Sequence, residues 1–354
     1  MGNMHFQGRI ISSMSYVLSF LGLLVPLTAA SPVPERQKAV TLPLPHHLVT
    51  QFPNGTWVEN IAVRGNGDLL ATILSPSASL YSISNPTSST PRIALIHTFD
   101  SINGLLGLTE VKHDQFVVVG GTSSQVGVPV AGTFSAWSVN FQHGKPAIQL
   151  ITAIPEATFP NGVDVFSECQ DVVLISDSTE GLVWRLNTRT AKYDISAKVP
   201  EMAIPANSAL QIGINGIKVF HGYLYWANSF EATIYRLKLD AKGYAAKGAK
   251  VEPVAVVDAA FIDDFTIDST GVIWAATNLD NRVLAIKPFG ENVVVEGSLT
   301  ELTVAGDTAA AFGRLKADKK VLYVSTSGAE GAPVNGTITE GGKVVAIDTS
   351  GFKL

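Results

Sequence analysis

A chain of 354 residues, 46% hydrophobic and only 16% charged, can bury a sizeable core. Its net charge of -5, with no basic cluster to offset it, excludes nucleic acid as a partner, because that role needs a basic footprint. The single cysteine, Cys169, excludes an intramolecular disulfide and a cysteine metal site.

The N-terminal region reads as a targeting segment. Residues 16–30 are apolar and end in small residues, with Arg9 before them and Pro32 after. That is the layout of a secretory signal peptide over residues 1–30, with cleavage after Ala29 or Ala30. The run is too short for a good membrane anchor, and no second run of its length follows. No stable membrane insertion is therefore expected. Met14, just ahead of the run, is a second candidate start. The sequons Asn54-Gly55-Thr56 and Asn335-Gly336-Thr337 fit a secretory route as glycosylation sites, with a secreted, vesicular or vacuolar destination. Residues 31–46 hold four prolines and read as an extended lead-in.

From there the chain repeats. Six times a short apolar run rises out of a polar turn. The starts are Glu59-Asn60-Ile61, Asn103-Gly104-Leu105, Asn161-Gly162-Val163, Asn215-Gly216-Ile217, Asp263-Asp264-Phe265 and Ala311-Phe312-Gly313. A period of about 40–50 residues marks a propeller or solenoid. Second runs, rich in Val, Ile, Tyr and Trp, follow at 69–74, 116–119, 172–176, 223–227, 272–276 and 321–325. Third runs lie at 79–83, 134–139, 182–186, 233–237, 282–286 and 343–347. Weaker fourth runs lie at 93–99, 147–154, 193–199, 251–257 and 299–304. Four antiparallel strands, six times, describe an all-β six-bladed propeller over residues 47–354. The sixth repeat lacks a fourth run, and residues 47–52 are a free strand candidate. They can complete the last blade and remove an exposed sheet edge. A monomer is expected.

In a propeller the first strand of each blade lines the central channel. Glu59, Asn103, Asn161, Asn215 and Asp263 then form a ring of oxygen-bearing side chains at one mouth. Two carboxylates plus amide oxygens suit a hard divalent cation, Ca²⁺ or Mg²⁺. The competing reading is that Asn-Gly serves the turn before each strand, since both residues tolerate positive φ. That reading is stronger for Asn103, and weaker for Glu59 and Asp263, which no glycine follows.

The register from Asn161 to Val165 followed by Val173 to Ser178, and that from Asp263 to Asp268 followed by Gly271 to Ala276, resemble the gluconolactonase and senescence-marker-protein family of six-bladed propellers. The resemblance spans roughly residues 55–350. It implies a divalent metal on Glu59, Asn161 and Asp263, with Asp263 as acid/base and Asn103 as a further site-lining position. The chain departs from the family pattern at Asp263-Asp264, where Asp-Gly is usual, and at Asn60, where a small residue and proline are common. The segment from Phe52 to Arg64 resembles more narrowly a group of secreted-type fungal propellers that includes hetero-Diels–Alderases of tropolone-sesquiterpenoid biosynthesis.

Three function classes follow. The first, implied by the closer resemblance, is a pericyclase coupling a polyketide-derived tropolone quinone methide to a humulene-type sesquiterpene. It needs no cofactor, only orientation and a hydrogen-bond donor to the ketone. Asn103, Asn161, Asn215, Ser229 and Thr326 are candidate donors. Trp57, Phe230, Phe265, Phe312 and Trp226 are candidate walls, with blade-to-blade packing as the alternative, the stronger one for Trp226. The second class is metal-dependent lactone hydrolysis, with Asp263 moving the proton and Arg314 as a candidate clamp. The third is a non-catalytic binding propeller.

Overall fold

The computed structural model describes residues 41–354, apart from His143 and Asn207. The expected signal peptide and most of the lead-in lie outside the described residues. Six four-stranded antiparallel sheets stand around a channel. Their inner strands are Trp57–Val63, Gly104–Lys112, Pro160–Val165, Ile214–Phe220, Phe265–Ile267 and Asp307–Phe312, in blades 1 to 6. All six run in one direction. We call the mouth where they begin the upper mouth and the other the lower mouth. Among the described residues no α-helix occurs, and no helix is long and apolar enough to cross a membrane.

The strands form where β-branched and aromatic residues alternate, and they are buried on both faces because blades pack face to face. Six apolar clusters fill the spaces between neighbouring blades. Trp226 is fully buried in the cluster between blades 3 and 4, with its indole N–H on the Glu201 carbonyl at 3.1 Å. Burying each large side chain is worth roughly 1.5–3 kcal/mol, so the blade interfaces carry the stability.

The ring closes as the missing fourth strand requires. His46–Gln51 pairs antiparallel with Lys343–Asp348 and becomes the outer strand of blade 6. Two expectations need correction. The inner strand of blade 6 begins at Asp307, not Ala311, because residues 313–315 turn away at Gly313, where Asp318 leaves no room for a side chain. The fourth strand of blade 5 is Asn292–Gly297, directly after a short turn, and not 299–304. Gly297, at φ +81°, ends that strand, and a turn follows.

Candidate functional site

At the upper mouth five of the six inner strands slip register against their neighbour at one level. The slips fall between Val58 and Asn60, Leu105 and Leu108, Pro160 and Val163, Ile214 and Ile217, and Asp307 and Ala309. In blade 5, the Ala276 carbonyl accepts from the Asp263 N–H and the Ala276 N–H donates to the Asp264 carbonyl. Such bulges re-aim side chains. The re-aimed residues are Glu59, Leu106, Asn161, Asn215, Asp263 and Thr308.

Glycine follows three of them, and it is required there. A side chain at Gly107 would stand 2.3 Å from the Asn161 carbonyl, and one at Gly162 would stand 2.8 Å from the Asn215 carbonyl. Second-strand hydroxyls stitch the same level. Thr72 donates to the Leu106 carbonyl at 2.7 Å and Ser176 to the Asn215 carbonyl at 2.6 Å. Thr308 donates to the Val58 carbonyl at 2.7 Å, joining the last blade to the first.

Four of the sequence-derived residues therefore share one level. Asp263 is the hub. Its Oδ1 accepts from Asn215 Nδ2 at 2.9 Å and its Oδ2 from Asn278 Nδ2 at 2.7 Å. Asn215 also donates to Ser229 Oγ at 3.0 Å. Glu59 Oε2 accepts the Trp57 indole N–H at 2.5 Å. Asn161 is buried at the same level and takes no part in these bonds.

Burial pushes the Asp263 carboxyl up to about 7; the Asn278 and Asn215 amides oppose this and the Asp264 carboxylate reinforces it. Glu59 is raised well above the usual carboxylate range, by burial first and then by the facing Asp263. Burial thus favours the protonated, hydrogen-bond-donating form of both carboxyls.

Apolar groups stand over this polar floor. Leu74, Leu106, Ile212, Phe230, Phe261 and Leu279 belong to one contiguous cluster on the loops and strand ends of the upper mouth. Phe230 meets Phe261 edge-on at 5.1 Å. Gly331 lies over Trp57 and Asn278, and would bring a side chain to 3.3 Å from the indole. A hairpin of Ser123–Gln125 and Val128–Pro129 extends the wall outward. It exposes Val126 and Val128, and its Gly127 lies against Leu210.

Other candidates lie elsewhere. Asn103 is an exposed turn residue whose side chain holds Ser123 N and O at 2.8 Å each. Leu106 takes its place in the ring. Phe265 is fully buried between blades 4 and 5. Phe312 meets Trp274 edge-on at 5.6 Å near the lower mouth. Thr326 is fully buried and accepts the Lys343 backbone N–H. Arg314 bridges the Val63 carbonyl and Glu110 at the lower mouth, so it cannot clamp a substrate at the upper one. Asn54 and Asn335 are both exposed in turns.

Sequence reasoning missed Asn278, Leu106 and the hydrogen-bonding role of Trp57. Aligning repeats on the glycine, as Gly107-Leu108-Thr109, Gly162-Val163-Asp164 and Gly216-Ile217-Lys218, would have found Leu106. Asn278 follows the second strand of blade 5 as Ser178, Ser229 and Ser327 follow those of blades 3, 4 and 6, so aligning the strand ends would have marked its position.

As a donor set, Glu59 and Asp263 with amide oxygens are the oxygen ligands of a hard dication. Asn215 Oδ1 is buried without a partner, which fits such an ion. Among the described residues no cluster of three or more His, Cys, Asp or Glu could hold a metal, so any ion would depend on the amides.

No family model matches the chain. A Phoma protein that carries the name hetero-Diels-Alderase is 35% identical over 340 residues, covering 88% of this chain and 95% of that one. A second protein so named, asR5 of Sarocladium schorii, is 33% identical over 345 residues, covering 88% and 85%. The fold is similar to that of regucalcin, a calcium-binding protein of Agrobacterium tumefaciens. The TM-score is 0.61 at 13% identity, over 87% of this chain and 95% of that one.

Proposed function

Because the chain belongs to the hetero-Diels-Alderase family, matching two members over nearly its whole length, we propose that it joins a polyketide-derived tropolone quinone methide to an alkene of a humulene-type sesquiterpene. Those two matches are the observation that carries the hetero-Diels–Alder reaction; the choice of partners rests on the resemblance of residues 52–64. The upper mouth supports it chemically.

In this cycloaddition one C–O and one C–C bond form between the partners. No group leaves, so no nucleophile is needed. The protein must hold the two partners at near-attack distance and exclude water. Negative charge gathers on the quinone-methide oxygen as the bonds form. A neutral donor aimed at that oxygen lowers the barrier. The Asn161 amide and a protonated carboxyl of Glu59 or Asp263 are such donors. Asn215 and Asn278 hold Asp263 in place, and Trp57 holds Glu59. Phe230, Phe261, Leu279 and Leu74 offer the apolar wall a sesquiterpene requires.

No cofactor is required in this reading. A Ca²⁺ or Mg²⁺ ion held by Glu59, Asp263 and the amides of Asn161 and Asn215 would supply Lewis-acid polarisation of a carbonyl when bound. That donor set is the one observation favouring a lactonase as the second reading. We further propose a secreted or secretory-pathway monomer, with vesicle or vacuole as alternative destinations. It would lose its leader after Ala29 or Ala30 and carry glycans on Asn54 and Asn335.

The test is to supply purified protein with a tropolone quinone-methide precursor and humulene. The adduct ratio should shift from that of the uncatalysed mixture, and chelators should leave the rate largely intact. Loss of turnover on chelation, or rapid opening of simple aldonolactones with no change in adduct ratio, would replace this reading with the lactonase.

A further inference from the structure

The residues that follow the ring positions are glycine in blades 2, 3 and 4, but Asn60 in blade 1 and Asp264 in blade 5. These two larger side chains meet. Asn60 Nδ2 donates to Asp264 Oδ2 at 3.0 Å, spanning blade 6, and both residues are buried. Lys218 Nζ, from blade 4, donates to Asp264 Oδ1 at 2.8 Å and to the Ile217 carbonyl at 3.0 Å. The Phe265 N–H also bonds Asp264 Oδ1, at 2.7 Å, and the Ile61 N–H bonds Asn60 Oδ1, at 2.9 Å.

The surroundings are cut to admit this group. A side chain at Gly216 would stand 2.3 Å from Asp264 Oδ1. Blade 6, which lies between the partners, presents Thr308, Ala309 and Ala310 there. Beneath lies a cavity of about 930 Å³ opening to the lower mouth, with Asn60, Asp264, Lys218, Thr109 and Asp164 among its walls. Glu59, Asn161, Asn215 and Asp263 do not line it.

We propose that Asn60, Asp264 and Lys218 form a strut across the channel that fixes the separation of Glu59 and Asp263, making them positioning residues for the reaction at the upper mouth. The inference rests on the cycloaddition reading above only for its kinetic readout. Each strut residue is the chain neighbour of an acid: Asn60 of Glu59, Asp264 of Asp263. A shift of either strand would carry the acid with it. A purely structural role explains the arrangement poorly. Burying an ion pair and an amide commonly stabilises no better than apolar side chains of the same size. The charged groups facing the strut are Asp164 from the lower side and Glu59 and Asp263 from the upper side.

The experiment uses the full chain and three variants: Asn60→Leu, Asp264→Asn, and the reversal pair N60D with D264N, which exchanges acceptor and donor. Asn60→Leu should lower kcat about 10- to 100-fold with KM within about threefold, because orientation and not binding is lost. Its melting temperature should stay close to that of the parent. The reversal pair should recover most of kcat. Asn60→Ser gives the same readout if the leucine variant does not fold. An unchanged kcat in a folded variant overturns the proposal, and so do additive losses in the reversal pair. If the parent chain shows no cycloaddition, a crystal structure of the Asn60 variant decides the strut alone. The Glu59 and Asp263 carboxyls should separate by about 1 Å or more, the scale on which misplacement is felt. Carboxyls left in place overturn the strut.

Discussion

Asp263 joins the two chemistries of the site, and its proton makes a direct prediction. A carboxyl raised to about 7 in the folded chain is protonated where the unfolded one is ionised. Its contribution to stability is complete below about pH 4. It is lost as pH rises through about 7. If that proton donates to the substrate oxygen, turnover falls over the same window. Asn215 lowers this group by donating to it, so Asn215→Ala should move the falling limb to higher pH while slowing the reaction. The loss expected for Asn215→Ala or Asn161→Ala is about 10- to 1000-fold, the scale of one oxyanion-type donor, with the fold intact by circular dichroism. A pH–rate profile of the three chains checks both statements. An unshifted limb in Asn215→Ala would separate Asp263 from the chemistry. Four ring residues were legible in the sequence because each opens an inner strand with an oxygen-bearing side chain. At Asn103 the competing turn reading holds, because Asn-Gly also makes turns and here it makes one. Asn278 was not singled out because it reaches Asp263 from just past a second strand, where blades 3, 4 and 6 carry the smaller Ser178, Ser229 and Ser327.

At the scale of the strand, the shared bulge decides the architecture. It brings the inner strands so close that Gly107, Gly162 and Gly216 have no room for a methyl group. Gly107→Ala meets the Asn161 backbone, which cannot move without shifting blade 3. A loss of about 1–3 kcal/mol or more is expected, as for other overpacked cores. Gly290→Ala meets only the flexible Lys287 side chain and should cost far less. Denaturant unfolding of the two variants compares them directly; equal costs would mean that the channel strands relax. The strands themselves were legible from alternating β-branched and aromatic runs. Two boundaries were not. In blade 6 the run after Asp307 is Thr308 and three alanines, which carry little hydrophobic signal, so the start was read four residues late. In blade 5 the fourth strand, Asn292–Gly297, was passed over in favour of the later run at 299–304.

At the scale of the whole molecule, stability depends on one strand contributed from the far end of the chain. Residues 46–51 close blade 6 through their pairing with residues 343–348. The flanks reinforce this. Leu44 N–H bonds the Val295 carbonyl of blade 5 at 2.8 Å, and Phe52 N–H bonds the Gly342 carbonyl at 2.9 Å. Val49 and Phe52 are buried in the cluster between blades 6 and 1. Without this strand, Lys343–Asp348 becomes an open, apolar sheet edge, the template for pairing with another chain. The first and last blades also lose a shared part of their core. Cleavage of the proposed leader after Ala29 or Ala30 would spare the whole closure, so its removal should be neutral to folding. Two truncations test this. A chain starting at residue 41 should keep the melting temperature of the chain starting at residue 31. A chain starting at residue 53 should melt lower, with loss of cooperativity, and associate in a concentration-dependent way on sedimentation. Adding back a peptide of residues 41–52 should restore melting in proportion to its concentration, since a ligand that binds only the folded state stabilises it by mass action. If the chain starting at residue 53 melts like its parent and stays monomeric, the ring holds through its five other interfaces, and the sixth closure contributes only local order.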